Sequence, residues 1–97
     1  MKIAIGSDEA GFELKNKLAA YIADLKHEVK DCGCYSEAPV FYADIAVSVA
    51  EDVVEGRADR GILICGTGIG MAIAANKVPG IRAAQCHDTY SAERAAK

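Results

Sequence analysis

Cys65-Gly-Thr-Gly-Ile-Gly70 is the stretch of this 97-residue chain whose residue types could do chemistry. A short apolar run enters a glycine-rich turn that opens a helix, so several backbone N–H groups and a helix N-terminus converge on one point. Such a nest favours an anion, and Thr67 adds a hydroxyl. Cys65 stands beside it, where the positive field of the backbone favours a thiolate. A thiolate next to an anion hole can remove a carbon-bound proton while main-chain amides hold the enediolate that results. The same residues would also serve as a plain strand-to-helix turn with Cys65 as a small core residue. Residue types alone leave both readings open.

Two nucleotide-binding patterns are excluded at this loop. A P-loop ends in GK[ST], and no such triplet follows Gly70. The dinucleotide fingerprint needs its third Gly or Ala where Met71 stands, and it belongs after the first strand. Ligands of open parallel sheets bind outside the carboxyl ends of the strands. The other candidates are therefore Ser7, Asp8 and Glu9 after the first apolar run, and Cys86, His87 and Asp88 after the fourth. Asp8 would equally serve as a helix N-cap, and Glu9 as a solvated carboxylate at a helix start. The acidic pair also fits a phospho-acceptor receiver domain, but that class wants an Asp where Cys65 stands. His87 borders the presumed crevice, whereas His27 precedes a strand at the opposite end of the sheet.

The elements that must carry these residues alternate short apolar runs with segments of helical period, the pattern of a parallel α/β sheet. Strands are predicted over Lys2–Ile5, Glu28–Cys32, Gly61–Cys65 and Ile81–Cys86. Gly61–Cys65 is apolar on both faces, which places it centrally. Leu14, Leu18, Tyr21, Ile22 and Leu25 recur at helical spacing between Phe12 and Asp24. A second helix puts Ala46, Val49, Ala50 and Val53 on one face and Glu51, Asp52 and Glu55 on another. A third runs from Met71 to Lys77 and stops at Val78-Pro79-Gly80, and Asp88 caps a last helix from Tyr90 onward. One α/β domain over residues 1–97 is expected.

The chain is 52% hydrophobic and carries a formal net charge of -3 without a Lys/Arg cluster, which argues against a nucleic-acid surface. No apolar run approaches the roughly 18–20 residues of a membrane span, and the N-terminus lacks the basic region of a secretory signal. A cytoplasmic protein is expected. Cys32 and Cys34 are separated by a single Gly, too close for half of a zinc site, and Cys65 and Cys86 end apolar runs. Neither a metal nor a disulfide is expected.

Three blocks taken together carry a resemblance. They are Lys2-Ile-Ala-Ile-Gly-Ser-Asp8 with Ala10-Gly11 and Leu14-Lys15; Gly61-Ile-Leu-Ile-Cys-Gly-Thr-Gly-Ile-Gly70; and Ala74-Ala-Asn-Lys-Val-Pro-Gly-Ile-Arg82-Ala. Over essentially the whole chain these residues resemble the ribose-5-phosphate isomerase B / galactose-6-phosphate isomerase family. The resemblance implies a three-layer α/β/α, Rossmann-like open parallel sheet, of which four strands are in view and a C-terminal strand and helix are missing. It implies a homodimer or homotetramer with active sites shared between subunits, and aldose–ketose isomerisation of a sugar phosphate without metal or organic cofactor. Carried over by position, Cys65 would move the proton between C1 and C2. Thr67 and the amides around Gly66, Gly68 and Gly70 would hold the enediolate, and Asp8 would contact substrate hydroxyls.

Departures from the family pattern bear on the substrate. Ribose-phosphate members usually have His where Glu9 stands, and an Asp-Tyr-Pro block where Phe41-Tyr42-Ala43 stands. Their ring-opening His and phosphate-binding arginines fall beyond Lys97. Phe41-Tyr-Ala43 and His87-Asp-Thr-Tyr-Ser-Ala-Glu-Arg94 instead resemble the branch acting on tetrulose phosphates such as erythrulose 4-phosphate. A four-carbon sugar with phosphate on O4 has no free hydroxyl able to close a five-membered ring, so an acid/base for ring opening is dispensable. The larger Phe41 would fill volume left by the shorter chain. Glu9, Tyr42 and His87 complete the expected substrate-binding set. Two alternatives stand beside this reading: ribose-5-phosphate isomerase itself, and a non-enzymatic flavodoxin-like module whose glycine loop only holds an anion. A chain that ends at Lys97 is expected to be weakly stable and impaired in catalysis, because an uncovered sheet edge invites association.

Overall fold

The computed structural model describes residues 1–96. Strand β1 (Lys2–Ser7) lies at the centre of a parallel three-stranded sheet, flanked by β2 (Glu28–Asp31) and β3 (Arg60–Ile64). Ile3 pairs with Val29 on one side and Arg60 on the other, and Ser7 pairs with Ile64. Helix α1 (Phe12–Asp24) links β1 to β2, and α2 (Tyr42–Val54) links β2 to β3. Right-handed crossovers that run in opposite directions across the sheet, β1 to β2 and then β2 past β1 to β3, put their helices on opposite faces. That rule produces the three layers. Two short helices follow, α3 (Ile69–Asn76) and α4 (Thr89–Ala96).

The core sits between β1 and its helices. Ala4 packs with Val49 of α2 and with Ala58, while Ile5 is completely enclosed. Gly6 lets α2 press directly on the sheet, since a Cβ there would lie 2.6 Å from Cγ2 of Ile45. The predicted apolar face of α2 is the buried one, with Ala46, Val49 and Ala50 all enclosed. Asp88 does cap α4, accepting the Ser91 N–H at 2.7 Å. Among the described residues, no helix is long and apolar enough to cross a membrane.

Three expectations need correction. Residues 81–86 form no strand, and the described sheet has three. Asn76 occupies the backbone of that segment instead: its amide donates to the Ala83 carbonyl and its carbonyl accepts the Ala83 N–H, both at 2.8 Å. An open cleft of about 1350 Å³, lined by Ile62, Ile64, Ile81 and Ala83 among others, borders both β3 and that segment. For the same reason β3 is an edge strand of the described sheet and only half-buried at Ile62 to Ile64; β1 is central. Asp52 does not share the exposure of Glu51 and Glu55, with which the helical period groups it: it is buried, with Lys30 Nζ at 2.8 Å and Arg57 Nε at 2.7 Å.

Candidate active site

Because Ser7 and Ile64 are neighbours in the sheet, the residues that follow them emerge side by side at its carboxyl edge. The Asp8 N–H donates to the Ile64 carbonyl at 3.1 Å, which locks the two exits together. Asp8 also caps the single 3-10 turn Glu9–Gly11, its Oδ1 accepting the Gly11 N–H at 3.0 Å. Among the described residues its second carboxylate oxygen has no hydrogen-bond partner. A crevice of about 280 Å³ opens there, lined by Asp8, Tyr42, Cys65, Gly66, Thr67 and Gly70.

The loop after β3 is shaped by two hydrogen bonds. The Gly68 N–H donates to Cys65 Sγ at 3.0 Å, and the Ile69 N–H donates to Thr67 Oγ1 at 3.2 Å. Gly68 makes this turn with φ +78, a conformation L side chains rarely adopt. The N–H aimed at the sulfur fixes the Cys65 side chain against the turn. Thr67, having accepted from Ile69, keeps its O–H free to donate into the crevice. The α3 helix then begins at Ile69, and its buried Met71 and Ala75 fix the loop on the body of the protein. Tyr42 is the first residue of α2, and its ring lies flush against Gly70: a Cβ there would come within 2.8 Å of Cε2.

The structure brings six of the nine predicted site residues to one crevice and leaves three outside it. Glu9 is turned away, its Oε2 accepting the Val40 N–H at 3.3 Å. Gly68 shapes the loop and borders the larger cleft. His87 is 71% exposed beside Asp88, on the rim of that same cleft. Asp88 is held below the usual carboxylate range by the Ser91 N–H and hydroxyl. Among the described residues, no group of three or more His, Cys, Asp or Glu is placed to hold a metal ion.

One supporting residue escaped the sequence reading. Lys15 is 1% exposed, and its ammonium binds both Asp31 oxygens at 2.8 and 2.7 Å and the Cys34 carbonyl at 2.6 Å. The loop it anchors pairs with the end of β1, Gly33 accepting from Ser7 at 2.7 Å and Cys34 donating back to Ser7 at 2.9 Å. The available signal was its spacing: Lys15 lies seven residues before Ile22, on the buried stripe of α1.

A family model described as Ribose/Galactose Isomerase matches residues 3–97. The chain belongs to this ribose/galactose isomerase family. It is 58% identical over 97 residues to "Ribose-5-P isomerase B" of Listeria innocua, covering 100% of this chain and 66% of that protein. It is 52% identical over 101 residues to "D-erythrulose-4-phosphate isomerase" of Pectobacterium atrosepticum, covering 100% of this chain and 64% of the relative. The solved structure of Clostridium thermocellum ribose-5-phosphate isomerase B superposes with a TM-score of 0.93 at 52% identity, over 95% of this chain and 62% of its own. This chain thus spans a little under two thirds of the length of these family members. The match with the Listeria innocua protein covers the whole chain, including the Asp8, Tyr42 and Cys65–Gly70 positions that line the crevice.

Proposed function

We propose that the crevice is the working site of a sugar-phosphate aldose–ketose isomerase that acts through an enediolate. The observation that carries this reading is the grouping of Cys65, Thr67, Asp8 and the glycine amides around one open space of about 280 Å³. In this mechanism the Cys65 thiolate removes the proton from C2 of the aldose, and the electron pair moves onto the carbonyl oxygen. The Thr67 hydroxyl and the amides around Gly66 and Gly70 hold the enediolate oxygen. A proton shift between O1 and O2 follows, and Cys65 returns its proton to C1, which leaves the ketose. The Gly68 N–H, 3.0 Å from the sulfur, keeps Sγ in place for both transfers. Asp8 accepts from a substrate hydroxyl through its second carboxylate oxygen, and the Tyr42 ring contributes a further wall.

Relatives named for both ribose 5-phosphate and erythrulose 4-phosphate support the class equally. Within it we favour a four-carbon ketose phosphate. Such a sugar needs no ring opening, and the crevice is small, about 280 Å³, with the Tyr42 ring in its lining. Ribose 5-phosphate is the second reading, carried by the relative of 58% identity. The working form in this proposal is a homodimer or homotetramer, supported by exposed Phe41, Ile69 and Ile73 near the crevice. The test is a panel of four-, five- and six-carbon sugar phosphates followed by NMR. Turnover of erythrulose 4-phosphate with kcat/KM above that for ribose 5-phosphate supports the reading, the reverse order selects ribose 5-phosphate, and binding without turnover of any sugar refutes an isomerase.

A further inference from the structure

We infer that Glu9 is a positioning residue that sets the Tyr42 wall of the crevice, and that it does so through the backbone of the loop before α2. The inference rests on the crevice being the substrate site. Glu9 follows Asp8 directly, so its charge invites a role in touching substrate. Its geometry gives it another task. Glu9 is half-buried and absent from the crevice lining, and its Oε2 accepts the Val40 N–H at 3.3 Å. Val40 stands two residues before Tyr42.

The segment that delivers Tyr42 has little else to hold it. Phe41, the N-cap of α2, makes no side-chain capping bond. Among the described residues, the other hydrogen bonds of residues 37–41 are local ones, Ala38 N–H to Ser36 Oγ and Asp44 N–H to the Phe41 carbonyl. The Glu9–Val40 bond spans 31 residues and ties this segment to the turn after β1. That turn is itself fixed, because Asp8 holds its Gly11 N–H. Asp8 and Tyr42, which both line the crevice, are therefore kept in register by one carboxylate. Tyr42 sits against Gly70 with no space to spare, so releasing the loop changes the width of the crevice and leaves the Cys65 loop as it was.

The experiment compares Glu9→Ala, Glu9→Gln, Tyr42→Ala and the Glu9→Ala/Tyr42→Ala double variant of the protein. Glu9→Ala should raise KM for the sugar phosphate about three- to tenfold with kcat little changed, the scale of one lost hydrogen bond at the surface. Glu9→Gln should recover most of that loss, because its amide oxygen still accepts from Val40. In the Tyr42→Ala background the Ala substitution at 9 should add nothing. Independently of turnover, Glu9→Ala should move the Tyr42 ring resonances and the Val40 amide proton resonance, and Glu9→Gln should leave the Tyr42 ring where it is. The inference is overturned if Glu9→Gln is as impaired as Glu9→Ala, since charge on substrate would then be the cause. It is equally overturned if the double variant shows the full additional loss, or if the Tyr42 and Val40 resonances stay put in Glu9→Ala. A protein that turns over no sugar phosphate removes the isomerase reading, while the two resonances still decide the tether.

Discussion

Replacing Asp52 by Asn should cost about 2 kcal/mol of stability at neutral pH, and progressively less as the solution is acidified. The figure follows from the surroundings of the carboxylate. Its side chain is 4% exposed, with Lys30 Nζ 2.8 Å from Oδ2, Arg57 Nε 2.7 Å from Oδ1 and Cys32 Sγ 3.4 Å from Oδ2. The Lys30 ion pair lowers the carboxyl from its ordinary 3.8 to about 2; burial opposes this, and Arg57 and Cys32 add to it. Burial first, and then this same carboxylate, push the Cys32 thiol up. A fall from 3.8 to about 2 favours the charged folded form by about 2 kcal/mol. Lys30 and Arg57 are about half exposed, so they rehydrate when the carboxylate goes. The loss therefore stays below the roughly 3–5 kcal/mol of a stranded buried charge. Because the folded value is depressed, the contribution is complete above 3.8 and disappears as pH falls from there toward 2. Urea unfolding followed by far-UV circular dichroism, on wild type and Asp52→Asn from neutral pH into that window, reads the gap directly. A gap that stays constant with pH, or is absent at neutral pH, refutes the reasoning.

Two further outcomes follow from the same geometry. Lys15→Met should destabilise by about 3 kcal/mol in urea unfolding, because it strands the Asp31 carboxylate and the Cys34 carbonyl that the buried ammonium now satisfies. Gly70→Ala should lower kcat/KM at least about tenfold with a small change in Tm, since the new Cβ meets the Tyr42 ring at 2.8 Å while the ring, 40% exposed, has room to swing away. The same substitution should cost far less in a Tyr42→Ala background.

Local signals made most of the architecture legible before any coordinates. The apolar stripe of α2 and the Asp88 cap are properties of a few adjacent residues, and both are found. The exits of β1 and β3 were readable too, because a parallel sheet delivers its strand ends to one edge. What the sequence could not convey is pairing between distant residues. Ile81–Cys86 has the composition of a strand, yet the Asn76 amide takes the Ala83 backbone groups, and no periodicity reports such a contact. Asp52 was placed by helical period on a polar face, but Lys30 and Arg57 enclose that face. Glu9 was read from its neighbour Asp8, whereas its partner is the N–H of Val40 in another loop. Residues 61–65 were apolar on both faces, which fits a strand with more to pack against than the described sheet alone supplies; β1 holds the centre.

The central claim is that Cys65 is the base, and Cys65→Ala tests it most directly in heavy water. NMR of the sugar phosphate that the wild type turns over reads two quantities at once: exchange of solvent deuterium into the carbon next to the carbonyl, and ligand affinity from line broadening. The account predicts that Cys65→Ala loses exchange by about a thousandfold or more while binding stays within a few fold. Exchange that persists at the wild-type rate in that variant would contradict it.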